Sequence, residues 1–211
     1  SEPRWAFLGG GSSPGDGASH AAIRASVPFV KRFSPLRYFG VCAAASGWAT
    51  ILISMSLNPW FSIARNALSD MGAIGVKYAW VFNSGLIISG ALAFLYSAYL
   101  LLTLRSKLEL LASSIMLLAS IHLILIGLFP EGTYPHFFVS IEFFTLMGVS
   151  MLLFGAAFTR GGARRYGICF AAMAIVGFLA AILGPWPSTG SLEVFEISLM
   201  TAWVFLMLRL V

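Results

Sequence analysis

Six long apolar segments, separated by short polar connections, constrain this chain more than any other feature. A hydrocarbon core about 30 Å thick takes roughly 20 apolar residues to cross as a helix. Because no water reaches the backbone there, helices are the conformation expected of spans this long. We predict an all-α polytopic membrane protein, an antiparallel six-helix bundle with spans at about 36–57, 79–103, 108–129, 136–159, 166–184 and 192–210.

Composition excludes the main soluble classes. Of the 211 residues, 59% are hydrophobic and 10% are charged, whereas a soluble domain carries about 25% charged residues. So few charges cannot cover a soluble globule. This excludes an ordinary cytosolic enzyme, a nucleic-acid-binding module and a disordered protein.

Residues 1–35 differ from the rest of the chain. They contain the Gly- and Ser-rich run 9–17 and no apolar centre of the kind that a secretory signal needs. We interpret 1–35 as a disordered leader, compatible with a tag or a misassigned start, and 36–211 as the transmembrane domain.

The basic residues predict the orientation. If the N-terminus is cytoplasmic, 11 of the 13 Lys and Arg residues lie on the cytoplasmic side, and only Arg65 and Lys77 lie outside. The positive-inside rule then places both termini of a multi-pass cell-membrane protein in the cytoplasm. We therefore interpret the net charge of +5 as a result of membrane orientation and of contact between basic residues and anionic headgroups. No nucleic-acid partner is expected.

Acidic residues show the opposite distribution. Five of the eight lie in the outer connections or the outer half of the bilayer, together with two of the three histidines. The helical rise puts His122 about 10 Å and Glu142 roughly 9 Å below the outer boundary, on adjacent helices. The outer polar residues that we predict to line a pocket are Asn66, Ser69, Asp70, Asn83, His122, Glu131, His136, Glu142 and Glu196.

Several interpretations of this polar cluster remain open. It could supply structural contacts such as a His122–Glu142 hydrogen bond, a pocket for a lipid headgroup or small amphiphile, a hydrolytic or transfer site, or a polar track for transport. The rotation along the fourth helix makes it difficult for one pocket to include both His136 and Glu142. Glu142 lies six residues after His136 and therefore points about 120° away from it around the helix. Ser69-Asp70 reads as a nucleophile beside a carboxylate or, more simply, as a capping or turn dipeptide.

A metal site is the sharpest of these alternatives. Catalytic zinc takes three protein ligands and keeps one open position. His122 and His136 with one carboxylate, Asp70 or Glu142, would supply that number. Because no HExxH or other close ligand spacing occurs, we predict no cofactor.

Several short motifs resemble a known family. Asn66-Ala67-Leu68-Ser69-Asp70-Met71-Gly72 resembles the N-x-L-S-D-hydrophobic-G signature of domain-of-unknown-function family 998. Phe82-Asn83 is similar to its Phe-Asn element, and Gly127-Leu128-Phe129-Pro130 followed by His136 is similar to its G-hydrophobic-F-P motif with a downstream His. The resemblance spans about 36–210 and implies a six-helix membrane protein of archaea or bacteria. It implies no reaction.

From these observations we expect an outward-facing polar pocket that binds a membrane lipid headgroup or small amphiphile without catalysis. One alternative is a metal-dependent lipid hydrolase or transferase that uses His122, His136 and a carboxylate. Another is a structural subunit of a membrane complex. Besides membrane lipid, the partners considered are the other subunits of such a complex or a second copy of this chain.

Overall fold

The computed structural model describes residues 34–211, and all regular structure within that range is helical. Two short 3₁₀ helices, Ser34–Tyr38 and Leu68–Gly72, accompany six long helices. The ends of the long helices differ from the predicted ranges by no more than three residues, and the all-α fold class is confirmed. The predicted leader lies outside the described residues up to position 33. The long helices are α1 (Phe39–Leu57), α2 (Ala79–Thr103), α3 (Lys107–Leu128), α4 (His136–Arg160), α5 (Arg164–Leu183) and α6 (Thr189–Met207).

All six helices are long and apolar enough to cross a membrane. At most 39% of the most apolar stretch of any of them is buried inside the bundle. Large apolar side chains such as Trp80 and Ile182 are mostly exposed on its surface. An apolar surface of this extent requires lipid around it, so the protein is a multi-pass membrane protein.

Helices α1 and α2 approach each other closely because small residues line their interface. Gly85 of α2 lies directly against Thr50 of α1, where no Cβ would fit. One turn further along, the hydroxyl of Ser89 donates to the Ser46 hydroxyl at 3.1 Å. Without a hydrophobic driving force between helices in lipid, such close backbone packing is a main source of association.

Small and polar residues also join α3, α4 and α5. The Ser150 hydroxyl of α4 donates to the Ala112 carbonyl of α3 at 2.9 Å. Gly155 of α4 and Gly167 of α5 lie backbone against backbone, with no room for a Cβ on either. These contacts make α2 to α5 a continuous packed layer in chain order.

Helix α6 is fixed mainly near its two ends. Close to its C-terminus, the Trp203 ring packs against Phe154 and Phe170, with ring centroids 5.4 and 5.9 Å apart. Nearby, the Trp48 indole N–H of α1 donates to the Thr201 hydroxyl at 3.0 Å. Between these contacts and the N-terminal end of the helix, a cavity separates α6 from α4 and α5.

Replacing Gly85 with Val tests the α1–α2 interface. The new side chain must displace Thr50, and overpacking of this kind costs about 1–3 kcal/mol. We expect Gly85→Val to lower the thermal unfolding midpoint in detergent, measured by size-exclusion chromatography after heating. Ala91→Val is the control, because Ala91 lies on the same helix and is exposed. Equal midpoints for the two variants would show that the close approach does not matter.

Candidate functional site

Three connections meet at one end of the bundle, which we call the polar end. They are the α1–α2 connection (58–78), the α3–α4 connection (129–135) and the α5–α6 connection (184–188). The Ile74 N–H donates to the Glu131 carbonyl at 3.0 Å, and the Gly190 N–H donates to the Asn66 carbonyl at 3.0 Å. The Ser188 hydroxyl donates to the Ile63 carbonyl. The first, third and fifth connections along the chain are thus hydrogen-bonded to one another at one end of the bundle. This is the arrangement expected when successive helices run in opposite directions.

The α1–α2 connection is organised by its own polar side chains. One oxygen of the Asp70 carboxylate, Oδ2, accepts from the Asn66 amide and from the Ala67 N–H, each at 3.1 Å. The side-chain oxygen of Asn66, Oδ1, accepts in turn from the Ser62 N–H at 3.1 Å. The Ser69-Asp70 pair therefore sits in a capped 3₁₀ turn, and Asp70 satisfies backbone and amide donors without facing the Ser69 hydroxyl.

Asn83 fixes the end of the same turn to α2. Its side-chain amide donates to the Gly72 carbonyl at 2.9 Å. A Cβ at Gly72 would collide with the Asn83 side chain and with the ring of Phe82. Gly at position 72 and Asn at position 83 are therefore needed together, and this explains why both short motifs occur in one chain.

A carboxylate–imidazole pair occupies the centre of the polar end. His136 Nδ1 lies 2.7 Å from the Phe129 carbonyl oxygen, and because a carbonyl only accepts, Nδ1 carries the proton. Nε2 lies 3.0 Å from Glu131 Oε2. The Ser69 hydroxyl donates to the same Glu131 oxygen at 3.3 Å. Within residues 34–211 this is the one pair of a basic and an acidic side chain close enough to form an ion pair when the imidazole is protonated.

Glu193 is a further acidic member of the site. Its Oε2 accepts from the Leu68 N–H at 2.7 Å, which links α6 to the α1–α2 connection. Our sequence-based set of pocket residues omitted it. A signal was present: Glu193 and Glu196 are three residues apart, so they lie on one face of α6.

These groups border a cavity of about 450 Å³ between α4, α5 and α6. Its lining at the polar end includes hydroxyl, carboxyl and imidazole groups, whereas its lining further into the bundle is mostly apolar, with Thr145 and Glu196 as the polar exceptions. On α4 the lining runs from His136 to Met151, about 22 Å of helix at 1.5 Å per residue. The deeper lining includes Phe144, Gly148, Met151, Met173, Phe178, Leu199 and Met200.

The structure brings together five of the nine predicted pocket residues. The other four do not line the cavity, and two of them, Asn66 and Asn83, instead hold the α1–α2 connection in place as described above. The five predicted residues that line the cavity are Ser69, Asp70, Glu131, His136 and Glu196.

His122 and Glu142 do not form the predicted hydrogen bond. His122 Nδ1 lies 2.9 Å from the Leu118 carbonyl of its own helix. Glu142 has no hydrogen bond within the part of the chain that the structure describes, and neither residue lines the cavity. A similar depth of His122 and Glu142 in the membrane does not bring the two side chains together. Glu142 is rotated by about 120° around α4 from His136 and so points away from the site.

A metal site with His122, His136 and a carboxylate is not supported by this arrangement. No group of three or more His, Cys, Asp or Glu side chains in residues 34–211 is placed to hold a metal ion. Both nitrogens of His136 already face oxygen atoms of the protein, and His122 does not share the cavity with it. The donor set that zinc requires is therefore absent from the described site.

Replacing Glu193 tests whether its carboxylate holds the α1–α2 connection. Ala would leave the Leu68 N–H without a partner, at a cost of about 1–3 kcal/mol, whereas Gln keeps an accepting oxygen. We expect Glu193→Ala to lower the thermal midpoint in detergent clearly and Glu193→Gln to lower it little. Glu142→Ala is the control, because it removes a carboxyl group that has no hydrogen bond. Equal losses for Glu193→Ala and Glu142→Ala would contradict this role.

Comparison with known proteins gives one match. The model of a family described as "Protein of unknown function (DUF998)" matches residues 41–210, which covers all six helices from near the start of α1. Neither a curated protein nor a solved structure matches the chain significantly.

Proposed function

The chain belongs to the DUF998 family of membrane proteins, and from that premise we propose that it binds a lipid headgroup or small amphiphile in the α4–α5–α6 cavity without catalysis. The observation that carries the proposal is the two-part lining of this cavity. Polar groups are concentrated towards one end, with Thr145 and Glu196 as the deepest polar members, and apolar side chains line most of the remainder. A molecule with one polar and one apolar part matches that division.

The size and position of the cavity support the same ligand class. A volume of about 450 Å³ lies within the roughly 300–1,000 Å³ typical of small-molecule sites. Lining residues such as Phe137 and Ile141 are also exposed on the surface of the bundle. Because that surface is in contact with lipid, an amphiphile would reach the cavity from the bilayer.

The polar groups are arranged for binding rather than for nucleophilic catalysis. In a Ser–His–acid triad the imidazole lies between the hydroxyl and the carboxylate. Here the Glu131 carboxylate lies between Ser69 and His136. The Ser140 hydroxyl lies 3.4 Å from His136 Nε2, but that nitrogen already faces Glu131 at 3.0 Å. Neither serine has a free base beside it.

Narrowing the cavity tests the binding proposal. Ala181 lines the cavity and is partly open to the surface, so Ala181→Trp adds bulk to the cavity with little strain on the core. We expect the amount of lipid or amphiphile that co-purifies with Ala181→Trp to be lower than with wild type by a factor of about ten or more. The amount is measured by mass spectrometry of extracts from the purified proteins.

Ala172→Trp is the matched control, because Ala172 lies on the same helix, is exposed and does not line the cavity. It should retain the same molecules as wild type. Identical extracts from wild type and both variants, with both variants folded, would overturn the proposal.

We propose further that the protein lies in the cell membrane with both termini in the cytoplasm and the polar end outside. Support comes from the basic residues in the described range. Arg65 and Lys77 belong to the polar end, and seven others lie in or beside the opposite connections and termini: Arg37, Arg105, Lys107, Arg160, Arg164, Arg165 and Arg209. Such a distribution favours the end with more basic residues as the cytoplasmic end.

Cysteine labelling of intact cells tests the orientation. In a background that lacks Cys42 and Cys169, both free thiols, we expect a membrane-impermeant maleimide to label Lys77→Cys. It should label Arg164→Cys only after the membrane is permeabilised, since both positions are exposed on the protein. The reverse pattern would show the opposite orientation.

A further inference from the structure

We infer that the amphiphile taken up by this cavity carries a cationic headgroup, an alkylammonium group in particular. The inference rests on the proposed binding function and adds the charge of the ligand. Its basis is the set of ionisable groups at the cavity wall. Of the residues that the structure describes, four with carboxyl groups line the cavity, together with one basic side chain, His136, and no Lys or Arg.

Most of these carboxyl groups keep oxygen atoms that no protein donor occupies. Asp70 uses Oδ2 and Glu193 uses Oε2 for hydrogen bonds to the α1–α2 connection. The second oxygen of each has no hydrogen-bond partner in the described structure. Glu196 accepts no hydrogen bond at either oxygen within residues 34–211, and its carboxyl group packs on Gly177 of α5. Only Glu131 has both oxygens engaged, with Ser69, His136 and the Gly132 N–H.

In their ionised form these carboxyl groups would repel an anionic headgroup and attract a cation, and a cation beside them in turn favours the ionised form. A phosphate or carboxylate ligand would need donors such as Arg, Lys or several free N–H groups, and the hydrogen bonds described above already use the Leu68 and Ala67 N–H groups. The two basic residues of the polar end do not line the cavity: Arg65 is exposed, and the Lys77 ammonium lies over the Tyr78 ring. Among the described residues, the lining therefore offers an anion no Lys or Arg, and only hydroxyl and imidazole groups as donors.

Aromatic rings in the wall suit the same headgroup. Phe137, Phe144 and Phe178 all line the cavity. Ring faces attract quaternary and protonated ammonium groups, and the attraction grows where water is excluded. Carboxylates and aromatic rings in the wall of one cavity are a combination that a cationic amphiphile can use and that a neutral or anionic one cannot use as well.

Three amphiphiles with the same dodecyl chain separate the possibilities. They are dodecyltrimethylammonium, dodecylphosphocholine and dodecanoate, each added to the full-length protein in a non-ionic detergent and measured by native mass spectrometry. We expect dodecyltrimethylammonium to bind at least about tenfold more tightly than dodecanoate. Comparable binding of dodecylphosphocholine would identify a zwitterionic lipid as the source of the ammonium group. Weak binding of it would indicate a singly charged amine.

The double substitution Glu193→Gln with Glu196→Gln should remove the preference for the cation while the protein remains folded, because Gln retains an acceptor for the Leu68 N–H. Glu142→Gln, a carboxyl group outside the cavity, should leave the preference unchanged. Equal or tighter binding of dodecanoate, or a preference that survives the double substitution, would overturn the inference on charge alone. Failure of all three amphiphiles to bind would overturn the binding proposal as well.

Discussion

The polar end depends on carboxylates that supply hydrogen-bond acceptors to a non-helical segment at the edge of the membrane. The α1–α2 connection presents backbone N–H groups that no helix satisfies, and in a site with little water each unsatisfied donor is costly. Asp70 accepts from Ala67, and Glu193 accepts from Leu68. The Glu131 carbonyl accepts from Ile74. Two carboxylates and one main-chain carbonyl, from three different parts of the chain, thereby position one connection.

The cavity follows from the way in which α6 is held. Its C-terminal half contacts the Phe154–Phe170 rings through Trp203, and its N-terminal end contacts the α1–α2 connection through Glu193 and Gly190. Contacts at two ends leave the middle of the helix free to stand apart from α4 and α5. Two glycines in the cavity wall let side chains lie close to the backbone: the Phe178 ring packs on Gly148, and the Glu196 carboxyl packs on Gly177. The open volume lies beside these contacts, where α6 stands apart from α4 and α5.

Much of the fold could be predicted from the sequence because lipid leaves few conformations open. Apolar length alone gave six helices whose ends the structure moves by at most three residues. The pocket was harder, since depth along a helix is readable from residue number but direction around the bundle depends on neighbours. Glu131 and His136 lie together because a short stiff connection joins them. His122 and Glu142 lie outside the cavity, because a matched depth on adjacent helices does not bring two side chains face to face.

The proposed binding rests on the same carboxylates that build the polar end. Asp70 and Glu193 each accept a backbone N–H with one oxygen and also line the cavity, so the proposal gives one side chain both a structural and a binding role. Glu196, which accepts nothing from the protein, has no such structural role and yet lies in an otherwise apolar part of α6. A charged side chain kept within a membrane span without a protein partner costs about 3 kcal/mol or more. A ligand that pairs with it would offset that cost, and this makes Glu196 the residue whose position is best explained by binding rather than by folding.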